Sequence, residues 1–239
     1  MNSANKISAT ILGLALVAGL AVLGILLRDA VLDFKRLDRS VAVKGLSERE
    51  YPASIVIWPI QFSVAGNELG DVYRTLDDQK AKIASFLVSH GLAAKEITAP
   101  PPAITDKSAQ QYGGDSSAPF RYVGVQTITV YSENVGGVRE VMTLLSELGK
   151  QGIAFTGDPY QNQTEYLFTR LNDVKPEMIE EATRNAREVA EKFAADSASS
   201  LGKIKSASQG QFSISDRDKN NPHIKRVRVV STVEYYLSD

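Results

Sequence analysis

The pattern of hydrophobic and polar positions changes character at residue 28. Residues Ala9 to Leu27 read ATILGLALVAGLAVLGILL, with no charge and Thr10 as the one polar side chain. As a helix this run is about 28 Å long, close to the roughly 30 Å of a bilayer's hydrocarbon core. It is apolar on all faces, unlike a helix that packs one side against a soluble core. Lys6 precedes it, and Arg28 and Asp29 close it. A cleaved signal peptide is the competing reading, with Gly19-Leu20-Ala21 as a small-x-small site. The apolar run continues through Leu27, however, and a cleavable segment is usually shorter. The pattern therefore predicts an uncleaved membrane anchor over residues 1–28, embedded through residues 9–27. Ala15 and Gly19, four apart, would let two such helices approach closely.

Downstream the periods alternate between 3.6 and 2. Residues 29–39 (DAVLDFKRLDR) place apolar residues at helical spacing and read as a short stalk. A strand follows over Ser40–Leu46, ending near Gly45. From Ser54 to Val64 the alternation puts Val56, Trp58, Ile60, Phe62 and Val64 on one face. Pro59 inside that run predicts an edge position or a bulge. A helix is expected from Asn67, its candidate cap, to His90, with Gly91 as its stop and Leu69, Val72, Leu76, Ile83 and Phe86/Leu87 as its apolar stripe. A short strand near Lys95–Thr98 leads into residues 99–119, rich in Pro, Gly and Ser and read as one long loop.

Phe120–Tyr131 is the strongest strand by composition. A helix over Val135–Leu148 and short strands at Ile153–Thr156 and Thr164–Thr169 follow. The third helix is predicted from Lys175-Pro176, with Asp173 as cap, to Leu201, stopped by Gly202. Its stripe is Ala182, Ala186, Val189/Ala190, Phe193, Ser197 and Leu201, and so many alanines imply close approach to a sheet or a partner helix. Strands at Ile204–Ile214 and Ile224–Leu237 end the chain. Strands in hairpin-like pairs separated by helices give an α+β fold: a mainly antiparallel sheet with three helices, preceded by one transmembrane helix. The folded part is expected to be one domain over residues 40–239, with room for a smaller lobe at about 132–170.

Composition removes function classes more readily than it adds them. The formal net charge is -1, which argues against a general nucleic-acid binder. There is no cysteine, so thiol nucleophiles, disulfides and thiolate metal sites are excluded. The two histidines, His90 and His223, lie far apart without ligand spacing, so no metal site is expected. No G-x-S-x-G, phosphate loop or dinucleotide fingerprint occurs. Gly113-Gly114 and Gly136-Gly137 read as flexible joints rather than phosphate cradles. Asp173, Glu177, Glu180 and Glu181 cluster at a helix start, where dipole complementarity explains them better than paired acid/base chemistry. Lys225, Arg226 and Arg228 interleave with valines as on a solvated strand face. Asn162-Gln-Thr is a glycosylation sequon by spelling alone. Trp58 and the methionines read as core. No catalytic, cofactor-binding or metal residue is expected.

Two stretches carry a resemblance. One is Val41-Ala-Val-Lys-Gly-Leu-Ser-Glu-Arg-Glu, followed by the Trp58 strand. The other is Leu171-Asn-Asp-Val-Lys-Pro-Glu-Met-Ile-Glu-Glu-Ala, continuing to Asp196 and Leu201-Gly-Lys-Ile. With the strand around Tyr122–Val130 they resemble the bacterial SIMPL-domain family over about residues 40–237. That family includes a periplasmic immunogenic protein and oxidative-stress defence factors. The resemblance implies an exported envelope protein that self-assembles, with Gly45 and Gly202 at turns and Asp196 as a buried hydrogen-bonding residue near a helix end. Self-association would use the alanine-lined helix and exposed strand edges. The implied setting is a single-pass inner-membrane protein with its soluble domain in the periplasm and a role in oxidative or envelope stress. The Lys/Arg count opposes that orientation, since Arg28, Lys35, Arg36 and Arg39 follow the anchor and only Lys6 precedes it. A cytoplasm-facing signalling adaptor is one alternative. A small-ligand or lipid-binding module with residues 99–119 as a lid is another, and an unrecognised hydrolase is a third.

Overall fold

Helix α1 (Ser3–Leu37) continues without a break through the apolar run. The computed structural model describes residues 3–37, 39–109, 119–157 and 162–238. Within α1 the stretch Ile11–Ala30 is long and apolar enough to cross a membrane, and none of it is buried. The rest of the chain is α+β with antiparallel pairing and four further helices. It divides into two compact units. One holds residues 1–48, 174–213 and 228–239, and the other holds residues 49–173 and 214–227. The stretch 132–170 lies within the second unit.

In the first unit helix α5 (Leu171–Asp196) covers one face of strands β1 (Ser40–Pro52), β8 (Ser200–Gln209) and β10 (Ile224–Ser238), ordered β1-β10-β8. Met178, Ala182, Ala186, Ala190 and Ala194 are the buried residues of α5, spaced by four. Residues four apart share a helix face, so this is one continuous line. Ala186 and Ala190 pack with Val43, Val233 and Tyr235. The line is therefore spent on the chain's own sheet, which corrects the expectation that it supplies contacts to another copy. Val189 and Phe193 also leave the predicted stripe, and Phe193 is 56% exposed.

Gly45 shows how close this packing is. A β-carbon there would lie 1.9 Å from the Ala182 carbonyl oxygen and 2.4 Å from the Ala186 nitrogen. The residue sits mid-strand under α5, not at a turn, and β1 runs on to Pro52. Gly202 is likewise inside β8, against the backbone of Tyr236. Polar bonds brace the same contact. The Ser47 hydroxyl donates to Glu181 Oε2 at 2.9 Å, and Asn185 Nδ2 donates to the Leu46 carbonyl at 2.8 Å.

The second unit contains a six-stranded sheet. Its main path is β3 (Ile97–Thr98), β5 (Tyr122–Ser132), β2 (Ile55–Gly66) and β6 (Ala154–Phe155); β4 (Ala103–Asp106) joins β5 and β7 (Glu165–Leu167) joins β2. Of these neighbours β4 and β5 are consecutive, as hairpin-like pairing expects, and the others pair over longer separations. Helices α2 (Leu69–Ser89), α3 (Val135–Leu144) and α4 (Ser146–Lys150) supply the rest of the core. Val56, Trp58, Ile60 and Phe62 are buried as the alternation requires. Pro59 lies in a central strand, opposite Thr129 of β5. On the other side β7 pairs with residues 55–57 and β6 with residues 62–63, leaving a gap between them. Gln61 turns its carbonyl to that side, accepting from Thr156 N at 2.9 Å. Pro59, two residues away, faces the same way, so its missing N–H costs no ladder bond.

Residues 99–109 are not a bare loop. They hold β4 and a short 3-10 turn, while residues 110–118, with Gly113-Gly114, lie outside the described residues. Asn67 does not cap α2. Glu68 occupies the cap, and Asn67 Oδ1 accepts from Arg121 N at 3.0 Å. Leu69 also falls outside the buried stripe of α2, which consists of Val72, Leu76, Ile83 and Leu87. Strand β9 (Ser213–Asp216) pairs with the start of β10 and divides what the pattern joins as 204–214.

Three helices end in the same way. After α2, Gly91 N donates to Val88 O and Leu92 N to Leu87 O; after α4, Gly152 N donates to Gly149 O and Ile153 N to Leu148 O. Both glycines have positive φ, and each paired apolar residue is buried, as this C-terminal motif favours. Helix α5 repeats the pattern with Ala198 N to Ala195 O and Ser199 N to Ala194 O, so it stops at Asp196 and not at Gly202. Its left-handed residue is Ala198, φ 53°. The helix begins at Leu171, which puts Pro176 inside it rather than in its first turn. Asp196 is exposed, so it is not the buried hydrogen-bonding residue that the resemblance implies.

Two substitutions test this packing in the full chain. Gly45→Ala is expected to lose about 3 kcal/mol or more, because no rotamer relieves a clash with helix backbone. Ala198→Gly is expected to gain about 1 kcal/mol by relieving the left-handed alanine. Urea unfolding measures both, and an unchanged midpoint for Gly45→Ala would contradict the close approach.

Candidate functional site

The sequence candidates do not converge. His90 caps the C-terminus of α2, with Nδ1 2.8 Å from the Phe86 carbonyl and its ring 4.2 Å from that of Phe86. That is a local role at a helix end. His223 stands in the turn between β9 and β10, edge-on to Tyr166 at 6.1 Å. Its carbonyl accepts from Ala53 N at 2.8 Å. Burial, then Arg139 and Arg217, holds its imidazole below the usual histidine range, and burial raises the Tyr166 phenol. No carboxylate is hydrogen-bonded to either imidazole among the described residues, as acid/base work with an oriented histidine would need. No group of three His, Asp or Glu suited to a metal ion occurs among the described residues.

The basic strand residues are occupied. Lys225 is buried and pairs with Asp216, Arg226 donates to the Arg217 carbonyl at 3.1 Å, and Arg228 lies 3.8 Å from Glu48. Lys225 therefore departs from the expected solvated face. In the acidic group at the start of α5, Glu181 is bonded to Ser47, a structural use of a carboxylate.

Among the described residues of the second unit, a wide-open hollow of about 480 Å³ lies by Lys82, Ser85, Ser89 and Gln151, and two others are more enclosed. The polar one, about 430 Å³, is lined by Ser54, Glu133, Thr169 and Arg170 with Ala53 and Ile55. Ser54 is tied into its wall, its N–H donating to Leu167 O at 2.6 Å and its Oγ accepting from Thr169 N at 3.2 Å. No general base is hydrogen-bonded to this hydroxyl among the described residues, as activating a serine nucleophile would need. The apolar hollow, about 230 Å³, has Ala81, Ala84, Ala94 and Ala99 among its walls. It falls below the roughly 300–1,000 Å³ usual for small-molecule sites.

The most developed electrostatic arrangement was invisible to residue spacing. Arg121 holds Asp106 through Nε, 3.2 Å from both carboxylate oxygens, and through Nη2, 2.9 Å from Oδ2. Ser108 adds its hydroxyl at 2.7 Å, and the Arg121 guanidinium also lies 4.9 Å from the centre of the Tyr122 ring. Lys107 N donates to Arg121 O at 2.9 Å. The clamp joins the two ends of segment 107–121. The Arg121 bonds, then the Ser108 hydroxyl, pull the Asp106 carboxyl down to about 2. This is a structural tie rather than a reaction centre: the arginine is neutralised and no reactive group stands beside it among the described residues.

What emerges is an α+β protein carrying one N-terminal helix able to cross a membrane, without a converged catalytic constellation among the described residues. The family model of SIMPL, protein of unknown function (DUF541), matches residues 41–233. The chain belongs to the SIMPL family. The match runs from β1 into β10 and leaves α1 outside. No curated protein matches the chain.

A depressed carboxylate contributes stability above its unfolded pKa, and that contribution disappears as pH falls through the folded value. The Asp106 contribution is thus complete above about pH 4 and gone near about pH 2. Asp106→Asn is expected to melt below the wild type at neutral pH, with the gap closing over that window. A gap independent of pH would contradict the clamp.

Proposed function

We propose that the chain is a non-enzymatic envelope protein, anchored in the bacterial inner membrane by α1, that works by associating with copies of itself. The soluble part lies on the periplasmic side in this reading, and its process is defence against oxidative or envelope stress. One observation carries the proposal: Ile11–Ala30 forms a helix of membrane-spanning length with none of its residues buried. An apolar helix left wholly uncovered needs a bilayer or other copies around it. Anchoring also confines copies to one surface and raises their effective concentration, so modest contacts suffice for assembly. Family membership supports the envelope setting, and the stress role rests on resemblance.

The full chain extracted in detergent is expected to show a protein mass of two or more copies by light scattering after size exclusion. A strict single-copy mass would overturn self-association. A reporter fused after residue 239 is expected to be active only outside the cytoplasm. Activity inside would instead support the adaptor reading that the Lys/Arg distribution favours.

A further inference from the structure

The alanine face of α5 is consumed by its own sheet, so an assembly surface must lie elsewhere in the first unit. Strand β8 forms one edge of that sheet. It pairs antiparallel with β10, and among the described residues no strand pairs with its other side. Nearly all of β8 is exposed, including Ile204 at 50%. Long open edges invite further strands, and proteins usually protect them with lysines and bulges.

Both protections are present here, but only in the first half of the strand. Lys203 and Lys205 lie there. The register shifts against β10 fall between Leu201 and Ile204 and between Ile204 and Ser206. From Ser206 to Gln209 the ladder is regular and the side chains are small or uncharged. The backbone direction follows from one bond. Gly210 N donates to Val230 O at 2.8 Å, with Gln209 opposite Ser231. Hydrogen-bonded pairs recur at every second residue of an antiparallel ladder. Ser206 and Ser208 therefore turn to β10, while Ala207 and Gln209 direct N–H and C=O to the open side.

We propose that this open edge at Ala207–Gln209 is where two copies of the chain join, by antiparallel pairing of β8 with β8; the inference rests on the self-association reading above. A second copy fits for two reasons. Pairing about Ser208 sets Ala207 opposite Gln209 and Lys205 opposite Gln211, so the regular half pairs with itself and no like charges meet. A shared membrane surface also presents the same strand on every neighbouring copy, which a free peptide lacks. The contact is isologous and closes on itself, giving pairs rather than fibres.

The test uses the full chain in detergent. Proline is tolerated at an edge position whose N–H points outward. Ala207→Pro is therefore expected to lower the assembled mass at least twofold while the melting temperature holds. Ser206→Pro removes a ladder bond and should lower the melting temperature. Because the protein has no cysteine, Ala207→Cys with a short thiol cross-linker should give a covalent dimer; its absence from an assembled sample overturns the edge. If the wild type is a single copy, the self-association reading itself fails. If the wild type assembles, Ala207→Pro does too and the cross-link is missing, only the β8 edge is wrong. Should Ala207→Pro unfold, the cross-link decides alone.

Discussion

Where β1 passes beneath α5 there is space for backbone and nothing more. Gly45 meets the Ala182–Ala186 turn of the helix at distances no β-carbon could occupy. The alanines of α5 are the helix's half of that contact, since a longer side chain at Ala182, Ala186 or Ala190 would lift it from the sheet. Ser47 and Asn185 then bond across at the spacing this allows. Val43, Val233 and Tyr235 complete the apolar seam. The first unit is thus organised by the absence of side chain rather than by bulky packing.

That constraint bears on function by removing a surface. A line of alanines at a spacing of four invites a helix–helix reading, because the same small residues serve helix dimers and helix–sheet packing. Once the line is buried, the large apolar side chains that stay exposed on α5 are Val189 and Phe193, and the sheet's own edge becomes the more specific feature. The second unit relies on ties across distance in the chain. Asp106 with Arg121, Glu96 with Ser132, and Gln126 with the Pro100 carbonyl fasten the segments flanking β3 and β4 onto β5. These polar groups hold architecture, and their partners leave little chemistry free.

Much of the secondary structure was legible because its periods are strong. The Val56–Val64 alternation, the α2 stripe from Val72 to Leu87 and the long C-terminal strand each bury the face their spacing indicates. Misreadings share one cause: a residue type with two uses. Gly45 and Gly202 look like turn residues and are close-approach residues within strands. Gly202 also looks like a helix stop, yet α5 ends at Asp196, and the turn after it passes through Ala198, whose left-handed backbone no residue-type rule would select. Pro59 looks like a strand-edge marker and sits in a central strand at a local gap.

By itself the sequence determined the membrane-length helix, the α+β class, the exclusion of thiol chemistry and the family, all properties of local composition and period. Pairing partners were decided only in three dimensions. The proximity of β1 to β10 and of β2 to β5 depends on chain closure over long separations, which no local pattern encodes. Tertiary structure also decided that the alanine face is internal, that Asp106 meets Arg121, and that the second half of β8 stands open. Each of these depends on which neighbour occupies a face, and a residue's own chemistry does not name its neighbour.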